Sequence, residues 1–165
     1  MAVLSVPGMN FGVIPIAPAD IAAIAGAADE PARAALFDAL APYTQPASCI
    51  ITQMTIVDPS WETQQDPQTV CADAGTIRES TKTNQVVANG TMTVLYDKVD
   101  PFIQMIHAAR GSLTDRLAFE MVHQNATDKI WAIVQVLRAS IDPTDTTGRV
   151  QQTIEFLYDT LPVHN

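Results

Sequence analysis

The sequence predicts a mainly β, antiparallel fold flanked by an α-helix and preceded by an N-terminal arm with short helices. Three observations predict it. Residues 84–159 read as strand, helix, then three strands, and the strands alternate polar and apolar residues. The last three strands are separated by polar turns, which favours an antiparallel meander. Residues 1–16 are apolar but interrupted by Pro7, Gly8, Gly12 and Pro15, which resist helix continuation and leave an extended arm. Strands this long need their edges covered by some other surface, so an assembly is the first expectation.

The elements follow in order. Residues 19–28 and 31–41 are alanine-rich, with Asp20 and the pair Asp29 and Glu30 where carboxylates favour helix starts, so two short helices are expected. Residues 49–57 are rich in β-branched side chains and end at Asp58-Pro59, a strand followed by a turn. Residues 60–75 have no period and read as a long loop. Residues 84–97 read as a strand with a break at Asn89-Gly90, a pair that also suits a hairpin turn, and Met92, Val94 and Tyr96 share one side. Asp100-Pro101 starts a helix whose stripe is Phe102, Ile103, Ile106 and Met105, ending near Arg110-Gly111 and lying on a sheet. Strands over 117–124, 129–141 and 149–160 complete the chain. In the last, Val150, Gln152, Ile154, Phe156 and Tyr158 alternate with Gln151, Thr153, Glu155, Leu157 and Asp159, one packed face and one wet.

At 165 residues the chain fits one domain with an appended arm. Its division is expected as residues 1–45, the arm and alanine-rich helices, and residues 46–165, the β domain. The net charge of −9 is uneven, because residues 1–77 hold Arg33 alone against eight acidic residues. No basic patch with interleaved aromatics is present, so specific nucleic-acid binding is not expected. Cys49 and Cys71 match neither a zinc nor a redox spacing and read as reduced thiols. The N-terminus lacks the charged leader of a secretory signal and no apolar run is long enough to span a membrane, so a cytosolic product is expected.

Motifs for an enzyme are missing. There is no nucleophile elbow, phosphate-binding glycine loop, His-Glu-x-x-His or calcium-loop ladder, so neither catalysis nor a cofactor or metal is expected. A small hydrolase would need His123 to converge with Glu120 and Asp115, whereas the plainer reading makes His123 a packed or rim residue. A small ligand-binding β-sandwich would hold its ligand with Trp61 and the 60–75 loop, although interface or core burial suits a tryptophan better. Glu120, Gln124, Gln135, Gln151, Thr153, Glu155 and Asp159 read either as an ordinary solvated sheet face or as the lining of an aqueous channel for a polyanion.

One resemblance favours the channel. Ile77-Arg-Glu-Ser-Thr-Lys-Thr83, Asn89-Gly-Thr-Met-Thr-Val-Leu-Tyr96, the helix at Asp100-Pro101-Phe-Ile103, Ile130-Trp-Ala-Ile-Val-Gln-Val-Leu-Arg138 and Arg149-Val-Gln-Gln-Thr-Ile-Glu-Phe156 resemble, in that order, the tail tube proteins of long-tailed bacteriophages. The likeness covers residues 49–160 and departs at the alanine-rich start. It implies a β-sandwich or partial barrel flanked by a helix, in hexameric rings whose inward sheets join into one barrel. Rings stack into the virion tail, assembled in the host cytoplasm, and DNA passes through without specific binding. Implied partners are further copies of the chain, a tape measure protein, and tail terminator and baseplate proteins, with no membrane. In that family the loops after the first strands meet neighbouring rings, which here gives Trp61, Glu62, Asp66, Arg78, Glu79 and Lys82, with Phe11 from a second stacking arm.

Overall fold

The computed structural model describes residues 9–46, 51–55, 60–69, 76–86, 89–123, 128–142, 150–160 and 162–165, with the backbone alone over 51–86. The order is β1 (Met9–Ile16), α1 (Pro18–Gly26), α2 (Glu30–Asp38), β2 (Ile51–Thr55), β3 (Ser60–Thr69), β4 (Thr76–Val86) and β5 (Asn89–Leu95). Then follow α3 (Pro101–Arg110), β6 (Arg116–His123), β7 (Lys129–Asp142), β8 (Gln151–Tyr158) and β9 (Val163–His164). The main sheet runs β1-β6-β7-β8-β5-β2, with β9 beside β7, and β3 and β4 form a separate two-stranded ribbon. Every pairing of described strands is antiparallel.

The expected meander is β6-β7-β8, and β7 is its hinge. The first half of β7 pairs with β6, from Lys129↔Val122 to Val134↔Leu117, and its second half pairs with β8, from Val134↔Tyr158 to Asp142↔Gln151. Val13, Met92, Phe119, Val134 and Phe156, from five strands, share one buried cluster with Phe102, Ile103 and Ile106 of α3. Phe119 and Phe156 meet edge to face at 5.2 Å although β7 lies between their strands. Phe11 of β1 and Met92 of β5 line the same small cavity. In a flat sheet strands four places apart would be separated by about 19 Å. The sheet is therefore rolled around its core into a partial barrel, open between its end strands.

Local chemistry explains the helices. Asp100 caps α3 by accepting from the Phe102 amide at 2.8 Å, and Pro101 fills the first turn, where an amide would lack a partner. Phe102, Ile103, Ile106 and Ala109 then lie on one stripe, which packs against β1, β6 and β7. Each isoleucine so buried contributes roughly 1.5–3 kcal/mol. Asp29 caps α2 in the same way, accepting from the Ala32 amide at 2.9 Å.

Three expectations change. Residues 60–69 are a strand paired with β4, not part of a loop, because backbone pairing supports a ribbon whose side chains carry no alternating pattern. Asn89 and Gly90 are neither a break nor a hairpin turn but the first paired residues of β5: β4 pairs with β3, whereas β5 pairs with β2 and β8. The outer face of the rolled sheet is wet over only part of its area. Ile24 of α1 with Ala34 and Phe37 of α2 need burial, and they find it on Ile16, Ala118, Trp131 and Ile133, together with Tyr43 and Val163. Phe37 stacks parallel to Trp131 at 6.0 Å. At β1 the packing is close, since a Cβ on Gly12 would lie 2.6 Å from the Tyr43 Cβ. Of the expected arm, residues 1–8 lie outside the described residues and 9–16 are β1.

Candidate functional site

The outer face not covered by α1 and α2 is a polar field on β5, β7 and β8. Cross-strand partners share a face, and the register groups Thr91 with Glu155 and Thr93 with Thr153 from β5 to β8. On the β7 side it adds Gln135 opposite Leu157, Arg138 opposite Glu155 and Ser140 opposite Thr153. A register shift between Val136 and Arg138 makes Leu137 an extra residue and turns Arg138 onto the side of Glu155. Strict alternation would have put Arg138 on the opposite face from Gln135, so this cation was hidden from sequence reasoning.

The expected lining residues have definite places. Gln151, Thr153 and Glu155 are half-buried in this field, and Gln135 donates to the Leu113 carbonyl at 3.2 Å. Glu155 is ion-paired with Arg138, and Asp159 with Arg116. Glu120 sits under the α1–α2 layer, where it accepts from the Trp131 indole at 3.0 Å and faces Lys129 at 3.9 Å. The Lys129 ammonium is held above its ordinary range chiefly by its hydrogen bond to Asp38 at 2.5 Å. Gln124 lies outside the described residues. Each of the three carboxylates thus has a cationic partner, and the most exposed pair, Arg138 with Glu155, contributes little stability, about 0–1 kcal/mol. The pairing of Glu155 leaves hydroxyls, amides and a neutralised ion pair on the open field.

The second feature is the β3–β4 ribbon. Paired residue numbers sum to 146 for Met54 with Met92 and Thr55 with Thr91, and again for Ser60 with Val86 and Trp61 with Gln85. The β2–β5 pair and the β3–β4 pair therefore share one register. The ribbon pairs with no third strand among the described residues. Trp61, Asp66, Arg78, Glu79 and Lys82 lie on it in paired register, with Glu62 at a register shift between Trp61 and Thr63. Phe11 is placed elsewhere, buried in β1.

No catalytic constellation forms among the described residues. Glu120 lies on β6 beneath the α1–α2 layer, Asp115 precedes that strand, and the His123 side chain lies outside the described residues. His107 is hydrogen-bonded to the fully buried Gln152 at 2.9–3.1 Å rather than to a carboxylate. No group of three metal-ligating side chains occurs among the described residues, and no described helix is long and apolar enough to cross a membrane. The cavity between Phe11, Met92, Phe102 and Phe119 is about 10 Å³, room for about one water molecule.

No protein-family profile and no curated protein matches the sequence. Solved structures do. A sheath/tube terminator of an extracellular contractile injection system, PVC, superposes with a TM-score of 0.60 at 8% identity, covering 100% of this chain and 98% of the other. The tube-terminating cap of the anti-feeding prophage gives 0.58 at 8% identity over 100% and 92%. The SPP1 tail tube gives 0.56 at 11% identity over 99% and 79%. This chain has the tail-tube fold. The likeness spans the whole chain, and these three similar structures are a sheath/tube terminator, a tube-terminating cap and a tail tube.

Proposed function

We propose that the protein is a structural subunit of a phage-like tail tube. Copies form hexameric rings, and rings stack into a hollow conduit that delivers DNA to the host. The observation that carries this reading is the whole-length likeness to tube and tube-terminating proteins. Two features of the chain support it. The main sheet ends at β2, a strand with a neighbour on one side only among the described strands, and joining such an edge to another copy removes an aggregation hazard. The opposite end is guarded within the chain, since Val13 of β1 exchanges two backbone hydrogen bonds of 2.9 Å with Thr44.

In this reading the polar field of Gln135, Gln151, Thr153 and Glu155 lines the bore. Its carboxylates are paired, so it offers a polyanion neither cations to adhere to nor a strong opposing field. Residues 46–165, completed by β1, supply the ring-building unit, and the helices within residues 1–45 cover its outer wall. The ribbon, with Trp61, Asp66, Arg78, Glu79 and Lys82, reaches the adjoining copies. A tape measure protein, a terminator and a baseplate are the partners of the finished tail, assembled in the host cytoplasm. Negative-stain microscopy of the purified protein at high concentration is the test. Hollow tubes or stacked rings are expected, and compact monomers alone would overturn the proposal.

A second reading, a tube terminator, is favoured by the 98% coverage of the PVC terminator chain. The same micrographs separate the two, because a terminator makes single rings that cap a tube without extending it.

A further inference from the structure

The charges of the β3–β4 ribbon are sorted by face. In an antiparallel pair, residues directly opposite share a face and successive residues alternate between faces. The register sets Asp66 opposite Glu79, Arg78 opposite Pro67 and Lys82 opposite Thr63. Asp66 and Glu79 therefore belong to one face, and Arg78 and Lys82 to the other. Apart from Glu62 at the register shift, these are all the charged residues of the two strands.

This arrangement is unfavourable for the ribbon alone. Like charges directly opposite one another destabilise a strand pair, and an isolated two-stranded ribbon is marginal in water. Pairing Asp66 with a cation across the ribbon would have been the stabilising choice. Placing both acids on one face and both bases on the other is instead suited to an external surface that meets each face with the opposite sign. The ribbon itself is such a surface.

We propose that the basic face of one copy's ribbon, at Arg78 and Lys82, docks against the acidic face of a second copy's ribbon, at Asp66 and Glu79. The contact is heterologous, using a different face toward each neighbour. It can therefore repeat from copy to copy, as a ring or a filament requires. The inference rests on the proposed function, in which copies of this chain lie against one another.

Complementary charge reversal in the full chain tests it. D66K/E79K makes both faces basic, and R78E/K82E makes both faces acidic. Each variant alone is expected to assemble on the order of tenfold less than wild type by sedimentation and microscopy, because like faces now meet. An equimolar mixture of the two is expected to regain assembly, as is the fourfold swap D66K/E79K/R78E/K82E. Circular dichroism and thermal melts establish that each variant is folded. Wild-type tubes that both reversals leave unchanged, or reversals that neither the mixture nor the swap rescues, would overturn the contact while leaving the tube reading intact. If wild type forms no tubes but the two variants still bind each other in sedimentation, the tube reading falls and the contact stands.

Discussion

Tyr43 joins three parts of the outer layer through one ring. Its hydroxyl donates to the Phe37 carbonyl at 2.8 Å, and its Cβ closes on Gly12. Burial, followed by the charges of Glu120 and Asp38, pushes the phenol above its ordinary value of 10.0. The folded protein therefore keeps a proton that the unfolded chain loses above about pH 10. The contribution is intact below that pH and is lost as pH rises through the higher folded value. The melting temperature should fall steeply above about pH 10, and Tyr43→Phe should flatten that fall at a neutral-pH cost of about 1 kcal/mol for the lost hydrogen bond. A melt series from neutral to alkaline pH decides it, and identical slopes would refute the role of Tyr43. At this scale the sequence was read unevenly. The parity of β8 was plain from Gln152, Ile154, Phe156 and Tyr158, all buried as alternation required. The pairing of Glu155 with Arg138 was not legible, because one extra residue at Leu137 resets the parity of β7 and no local pattern announces it.

Among the elements, α3 was the most legible. Asp100, Pro101 and Gly111 are local signals that act before any tertiary contact forms, and the helix runs Pro101–Arg110 between them. The ribbon was the least legible. Ser60–Thr69 has no alternation and contains Pro67, so composition read it as loop, whereas its order comes from backbone pairing with β4. The α1–α2 layer lies between these cases: its helices were foreseen, but not the face they cover. Phe37 fixes that layer, fully buried and stacked on Trp131, and polar ties flank it, from Lys129 to Asp38 and from the His164 amide to Glu30 at 2.9 Å. Phe37→Ala should cost about 3–5 kcal/mol by opening a cavity and removing the stack. Hydrogen exchange should show α1 and α2 losing protection first, with β7 and β8 keeping theirs. Uniform loss of protection across the sheet would show instead that the layer and the barrel unfold as one unit.

At the scale of the whole molecule the described residues of the rolled sheet have an inner face packed around one core and an outer face divided in two. One part is sealed by α1 and α2, and the other is polar and open. In the proposed tube, that division would give the subunit a direction that alternation alone could not supply, since parity separates two faces without saying which looks inward. There the polar part would line the bore and the part sealed by α1 and α2 would form the outer wall. Cysteine labelling of assembled tubes tests the direction. With Cys49 and Cys71 replaced by serine, Thr153→Cys reports on the polar field and Ala22→Cys on the exposed side of α1. A small maleimide should modify both positions, because both are reached by solvent. A maleimide carried on a protein too large to enter the bore should modify Ala22→Cys and spare Thr153→Cys in tubes, while modifying both in unassembled subunits. The unassembled control separates shielding by the tube from burial within the subunit, where Thr153 is already half-covered. Equal modification of both positions in tubes would place the polar field on the outside and leave the bore to be sought on another surface of the rolled sheet.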